Sequence, residues 1–242
     1  MASKMSITFS EDEEEEIEIK QIKMIFIGDS AVGKTSIIQR FTQNRFDSEQ
    51  KYKQTIGLDF FMKEVEITAS LHASLQCWDI GGQTIGQKMI KSYLRGSHAI
   101  FFVYDVTDAK TFENLEKWME FVKEVIKETG KVPYLALIGN KTDLGYQRVI
   151  SIQQNQAFAD QYGMRFFYVS ARTGDNVHAT ILKVANDLCG VHTSSTDVEI
   201  QAAAPAVATI KRSPMKNRTN PEMVEAEIVH DKKAEKDDCI IF

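Results

Sequence analysis

This chain has no excess of basic charge: 29 Lys and Arg stand against 34 Asp and Glu, a formal net charge of −5. Proteins that hold nucleic acid through its phosphates carry a basic footprint, so that class is excluded. Cysteine is scarce as well. Cys77, Cys189 and Cys239 form neither a Cys-x-x-Cys pair nor an even set, which argues against a disulfide framework or a zinc site and suits a reducing compartment. No run approaches the ~20 apolar residues of a membrane span. Met1-Ala2-Ser3-Lys4 opens no apolar signal region, and Ala2 stands where myristoylation requires glycine. No internal repeat is visible. The expectation is a soluble cytosolic protein unless its other end is modified. With 43% hydrophobic and 26% charged residues over 242 positions, the chain has material for one sizeable core.

What is present alternates strand and helix. Residues 1–19 hold an all-acidic run, Glu11 to Glu16, whose mutual repulsion resists packing and predicts a disordered arm. Residues 20–190 carry the strand candidates Met24–Ile27, Phe60–Ile67, Leu75–Trp78, Ala99–Tyr104, Tyr134–Ile138 and Phe166–Val169. Near-continuous apolar runs among them suit parallel strands covered on both faces. Phe61, Val65 and Ile67 alternate with Met62, Glu64 and Glu66, the pattern of a half-exposed antiparallel edge strand. Helical stripes run through Phe112, Leu115, Trp118, Met119, Val122, Val125 and Ile126, with Thr111 the expected N-cap, and through Val177, Ile181, Val184, Ala185 and Leu188. Ser151-Ile152-Gln153-Gln154 has the form of a capping box, and Gly163 ends that helix. Residues 191–242, broken by Pro205, Pro214 and Pro221, read as a flexible tail. The alternation predicts a three-layer α/β domain, a six-stranded, mostly parallel sheet with one antiparallel edge strand and about five helices, with ligands at the carboxyl ends of the strands.

Gly28-Asp29-Ser30-Ala31-Val32-Gly33-Lys34-Thr35 follows the first strand and precedes a helical run from Ser36. Its spacing is that of a phosphate-binding loop: glycines let backbone N–H groups converge on a phosphate, and the helix adds its positive N-terminal end. Lys34 reaches the β- and γ-phosphates, and Thr35 offers its hydroxyl to Mg²⁺. Four further stretches fall at strand ends. Asn140-Lys141-Thr142-Asp143 places a carboxylate that accepts two hydrogen bonds from guanine, whereas adenine would leave it poorly paired; Asp143 therefore selects GTP over ATP. In Asp79-Ile80-Gly81-Gly82-Gln83, Asp79 suits the hydration shell of Mg²⁺, Gly82 allows its N–H near a γ-phosphate, and Gln83 can orient water. Thr55 offers a hydroxyl to Mg²⁺, and the Ala171 N–H in Ser170-Ala171-Arg172 can reach the guanine carbonyl.

This ordered set, over residues 20–190, resembles the small GTPases of the Ras superfamily, which share the P-loop NTPase fold. Ile56-Gly57-Leu58-Asp59-Phe60, Tyr93-Leu94-Arg95-Gly96-Ser97 and Val103-Tyr104-Asp105-Val106-Thr107 are similar to Rab signatures. Tyr52 to Phe61 and Trp78 to Gly86 are similar to the Rab twenty-eight branch. The resemblance implies a GDP/GTP switch with Mg²⁺, two switch segments at about 44–60 and 79–95, and vesicle or ciliary and flagellar traffic. It implies an exchange factor, a GTPase-activating protein, effectors and a prenyl-binding solubilising carrier as partners of a monomer. Phe60, Trp78 and Tyr93 match an effector-facing triad, with plain core packing as the alternative. Cys239-Ile240-Ile241-Phe242 matches a prenylation box that would anchor the chain to the cytoplasmic face of membranes. The terminal Phe favours geranylgeranyl; the branch suggests farnesyl. One prenyl chain anchors only marginally. Lys211, Arg212, Lys216 and Arg218 could assist it, but Asp237 and Asp238 oppose an anionic leaflet.

The sequence departs from the family at Gly81, where Ala is usual, and at Thr84, where Glu is usual. Gly81 is expected to loosen the second switch. Between Phe46 and Thr55 the first switch is longer than in that branch, which leaves the stacking of Phe46 on guanine open. No Arg in these motifs is an evident arginine finger, so hydrolysis is expected to be slow without an activating protein. An alternative is a nucleotide-binding adaptor with little or no hydrolysis. An ATP-dependent phosphotransferase is a third reading, opposed by Asp143.

Overall fold

A computed structural model describes residues 17–46, 54–84 and 89–191. The acidic run, the C-terminal tail with Cys239, and parts of both proposed switch segments lie outside the described residues. The strands are β1 (Glu18–Ile27), β2 (Leu58–Thr68), β3 (Leu71–Ile80), β4 (Ala99–Asp105), β5 (Tyr134–Asn140) and β6 (Arg165–Tyr168). They form one sheet in the order β2-β3-β1-β4-β5-β6. Only the β2–β3 pair is antiparallel, and β2 is an edge strand, as its alternation predicts. β1 begins at Glu18, paired with Leu71, inside the stretch read as arm.

Strand side chains point alternately to the two faces, and this divides the core. Met24, Phe26, Phe101, Val103, Ala136 and Ile138 pack with Ile37, Phe41, Ile181 and Val184 of α1 (Lys34–Gln43) and α6 (Val177–Cys189). Ile25, Ile27, Ile100, Phe102 and Leu137 pack on the other face. Their neighbours come from α2 (Ile90–Leu94), α4 (Leu115–Thr129) and α5 (Ile152–Tyr162). A short helix, α3 (Ala109–Glu113), precedes α4. The described residues thus hold six α-helices, the stripe from Phe112 to Ile126 being divided at Asn114. None is long and apolar enough to cross a membrane.

Thr111 is not the N-cap. Asp108 caps α3, its carboxylate accepting from the Lys110 N–H at 3.0 Å. The Thr111 hydroxyl is buried and accepts from the Asp105 N–H. Aspartate is as good a cap as threonine, and it stands one turn earlier. The Ser151–Gln154 capping box and the left-handed Gly163 end form as expected. At the amino end of β1, Lys20 donates to the Leu188 carbonyl at 2.8 Å, closing the end of α6.

One inward position on β2 breaks the apolar pattern. Lys63 is 4% exposed; its ammonium donates to the Phe41 carbonyl at 2.7 Å, an open acceptor in the last turn of α1, and lies 4.5 Å above the Phe41 ring. His178 of α6 stands 3.5 Å away. Burial first, then the Lys63 charge, draws the His178 imidazole from 6.5 down to about 4. The unfolded chain takes up that proton near pH 6.5 and the folded chain only near 4. The contribution to stability is complete above the first value and is lost as pH falls towards the second. In thermal melts from pH 7 to pH 4.5, His178→Gln is expected to lose less Tm than the wild type; parallel curves would remove His178 from the acid response.

Candidate functional site

A cleft of about 750 Å³ opens at the carboxyl ends of β1, β3 and β5. Ser30, Ala31, Gly33, Lys34, Thr35 and Ser36 line it from the turn between β1 and α1; Thr55 and Gly82 close one side, and Asn140, Lys141, Asp143, Ala171 and Arg172 the other. The turn is tight. Ala31 and Gly33 have positive φ, 64° and 96°, and a Cβ on Gly33 would meet the Asn140 amide at 2.3 Å. α1 starts at Gly33 with no side-chain cap and no acidic residue in its first turn. Its leading N–H groups therefore carry no built-in acceptor, the condition for holding an anion. Lys34 folds back over the turn and donates to the Gly28 and Asp29 carbonyls at 2.8 and 2.7 Å. Burial draws its ammonium down to about 8, while Asp79 and Asp29 act to hold it up.

Below this turn three oxygen-bearing side chains converge. The Thr35 hydroxyl donates to Asp79 Oδ2 at 2.5 Å, Thr55 Oγ1 lies 3.2 Å from the same oxygen, and the two hydroxyls are 3.0 Å apart. Asp79 has no exposed surface, and among the described residues its Oδ1 is buried without a hydrogen-bond partner. Burial pushes its carboxyl above the ordinary carboxylate range, against the pull of Thr35, Lys34 and Thr55. A carboxylate oxygen left in this condition costs ~1–3 kcal/mol or more. Hard oxygen donors around an unsatisfied carboxylate fit a divalent cation such as Mg²⁺.

The other side of the cleft is braced by hydrogen bonds. Asn140 donates to the Val32 carbonyl at 2.8 Å and accepts from the Ala171 N–H at 3.1 Å. Ser170 donates to Asp143 Oδ1 at 2.7 Å. Lys141 reaches Asp105 Oδ2 at 2.5 Å. Five residues predicted in the site do not line the cleft: Val32, Asp79 and Ser170 are buried behind it, the Asp29 carboxylate turns to α4, and the fifth is Gln83. Gln83 is exposed in a short 3-10 turn, Gly82–Thr84, and is not among the lining residues. Phe46 lies between the cleft and the core. Phe60, Trp78 and Tyr93 are half-buried. The first two rings meet edge-on at 5.5 Å, and Lys23 lies 4.4 Å over Trp78 while donating to the Tyr93 carbonyl at 2.7 Å.

Sequence reasoning missed Arg40. From α1 it donates to the Ala171 and Arg172 carbonyls at 3.0 and 2.6 Å. No local pattern marks a contact across 131 positions. It missed Gln39, Gln43, Arg45 and Leu144 in the lining, since none of them is a fixed position of the motifs.

A profile of the Ras family matches residues 23–189. The chain belongs to the Ras family of small GTPases. Its relatives include Ras-related protein Rab-28 of Caenorhabditis elegans, 42% identical over 188 residues, 78% of this chain and 75% of the relative. GTP-binding protein yptV2 of Volvox carteri is 38% identical over 69% of this chain and 75% of its own length. Ras-related protein RABE1e of Arabidopsis thaliana is 37% identical over 69% and 74%. As a Rab-type small GTPase the protein hydrolyses GTP, and membrane traffic is the general work of such proteins.

Gly81 does not act here as a loosening element. Its N–H donates to the Gly57 carbonyl at 2.9 Å, and a Cβ at this position would lie 2.3 Å from the Thr55 carbonyl oxygen. The missing side chain is what lets the segment bearing Thr55 lie against the one bearing Gly82. Gly81→Ala is expected to destabilise by about 1–3 kcal/mol through overpacking, read as a fall in Tm; an unchanged Tm would show that the two segments part without cost.

Proposed function

We propose that the protein is a GDP/GTP switch in which Thr35, Thr55 and Asp79 hold Mg²⁺. The observation that carries this reading is the orphaned Asp79 Oδ1 beside two threonine hydroxyls drawn from separate segments. When bound, the cation neutralises charge on the nucleotide phosphates. Lys34 exchanges its loop carbonyls for phosphate oxygens, and the backbone from Ser30 to Ser36 supplies N–H donors. Asp143, oriented by Ser170, pairs with guanine, while Asn140 ties the phosphate-binding and base-binding loops together. Lys141, Ala171 and Arg172 complete the base side. Gln83, swung in from its exposed turn, orients the attacking water. Thr55 belongs to the first switch and Gly82 to the second, so loss of the γ-phosphate removes what holds them at the cleft.

Phe60, Trp78 and Tyr93 form the face that effectors meet; their half-burial and edge-on stacking support a preformed aromatic patch over a core position. An exchange factor and an activating protein drive the cycle. A prenyl group on Cys239, with a solubilising carrier, gives reversible attachment to the cytoplasmic face of membranes.

The switch is tested with stripped protein and fluorescent GDP. Uptake is expected to resist a hundredfold excess of ATP, and EDTA is expected to speed release at least tenfold. Equal competition by ATP, or release indifferent to EDTA, would overturn the assignment. The lipid anchor is tested by fractionating cells that express wild type or Cys239→Ser. The variant is expected to leave the membrane fraction; equal partitioning would rule the anchor out.

A further inference from the structure

Asp29 belongs to the phosphate-binding turn by sequence, yet its side chain leaves the cleft. One carboxylate oxygen accepts from the Asn114 amide at 2.6 Å, and the other accepts from the Trp118 indole N–H at 3.2 Å. Both donors stand at the start of α4, which is seated in the core by Leu115, Trp118, Met119 and Val122. The Asn114 amide is held in orientation, because its oxygen accepts from Lys117 at 2.9 Å and its nitrogen is thereby directed to Asp29. Asn114 occupies the N-cap position without making a side-chain cap.

The Asp29 backbone is where Lys34 and the second switch segment meet. Its carbonyl accepts from Lys34. A Cβ on Gly82 would lie 2.4 Å from the Asp29 carbonyl carbon and 2.2 Å from the Ser30 nitrogen, so the second switch segment rests on this one peptide. Two residues further on, Ala31 takes a left-handed conformation that costs an L-residue about 1–2 kcal/mol. A turn under that strain, carrying a lysine and a switch segment on one peptide, is braced from outside on both sides: Asn140 holds the Val32 carbonyl, and α4 holds the Asp29 carboxylate. The only side-chain hydrogen bonds recorded for the Asp29 carboxylate among the described residues are those from α4. α4 also meets α2 through Lys91–Glu124 and Arg95–Glu128, both at 2.6 Å. Those pairs are exposed and contribute little; the anchor on Asp29 is charge-assisted and one of its donors, Trp118, is fully buried.

We propose that Asn114 and Trp118 are positioning residues for nucleotide retention, fixing the phosphate-binding turn through the Asp29 carboxylate. This rests on the reading of the cleft as a guanine-nucleotide site. Asn114→Asp sets a second carboxylate against Asp29 and is expected to speed GDP release about tenfold. Exchanging the two groups, Asp29→Asn with Asn114→Asp, restores an amide facing a carboxylate and keeps an oxygen for Trp118. Release from the double variant is expected to return to within about threefold of wild type. A purely packing role for Asn114 would not give this rescue. Trp118→Phe keeps the ring and removes only the N–H, and about threefold faster release is expected with Tm little changed. That variant decides the matter if Asn114→Asp does not fold. Wild-type release rates in Asn114→Asp or in Trp118→Phe would overturn the proposal. So would a folded double variant as fast as Asn114→Asp. A wild-type chain that takes up no GDP would overturn the underlying reading together with this one, and the wild-type measurement alone identifies that case.

Discussion

The carboxylate of Asp79 is fully enclosed, and among the described residues only one of its oxygens has hydrogen-bond partners. Those partners are hydroxyls from two segments twenty positions apart in sequence, Thr35 at the start of α1 and Thr55 ahead of β2. A buried, half-satisfied carboxylate is unfavourable until a cation or a proton reaches it. Burial accordingly raises its proton affinity in the described state. The same feature makes the site responsive: whatever supplies positive charge at Oδ1 also stabilises the arrangement in which Thr55 is drawn in. Closure of the first switch and occupation of the cation position are thus linked through one side chain.

Much of this was legible in the sequence because the signals are local and periodic. The apolar runs of β1, β4 and β5 marked strands covered on both faces, and the alternation around Phe61 marked β2 as an edge. The Gly28–Thr35 spacing locates the turn, and Asp79, Asn140 and Asp143 are legible because each stands at or just past the carboxyl end of a strand. What escaped depends on distance through the fold. Thr111 reads as a cap because threonine caps helices well; Asp108, one turn earlier, does so here. Lys63 shares the inward face of β2 with Phe61 and Val65, but nothing local shows that the open end of α1 lies above it, where its buried ammonium serves the Phe41 carbonyl. Asp29 reads as a nucleotide contact because it lies inside the motif, yet its carboxylate turns to α4. The motif dictates backbone conformation there and says nothing of where the side chain turns.

Gly81 illustrates the difference between a residue's intrinsic and contextual behaviour. Glycine adds freedom to an isolated backbone. In this fold the absence of Cβ instead permits a contact, since the Thr55 carbonyl occupies the space a methyl group would take. A substitution read from composition alone therefore carries the wrong sign when the vacated volume is filled by another segment of the chain.

The hydrogen bond from Lys20 to the Leu188 carbonyl has a consequence for orientation. It fastens the leading end of β1 to the trailing end of α6, so the described fold receives and releases its chain at one pole. The cleft lies at the opposite pole, where the strands finish. The chain that follows Val191 therefore leaves the domain at the pole opposite the cleft.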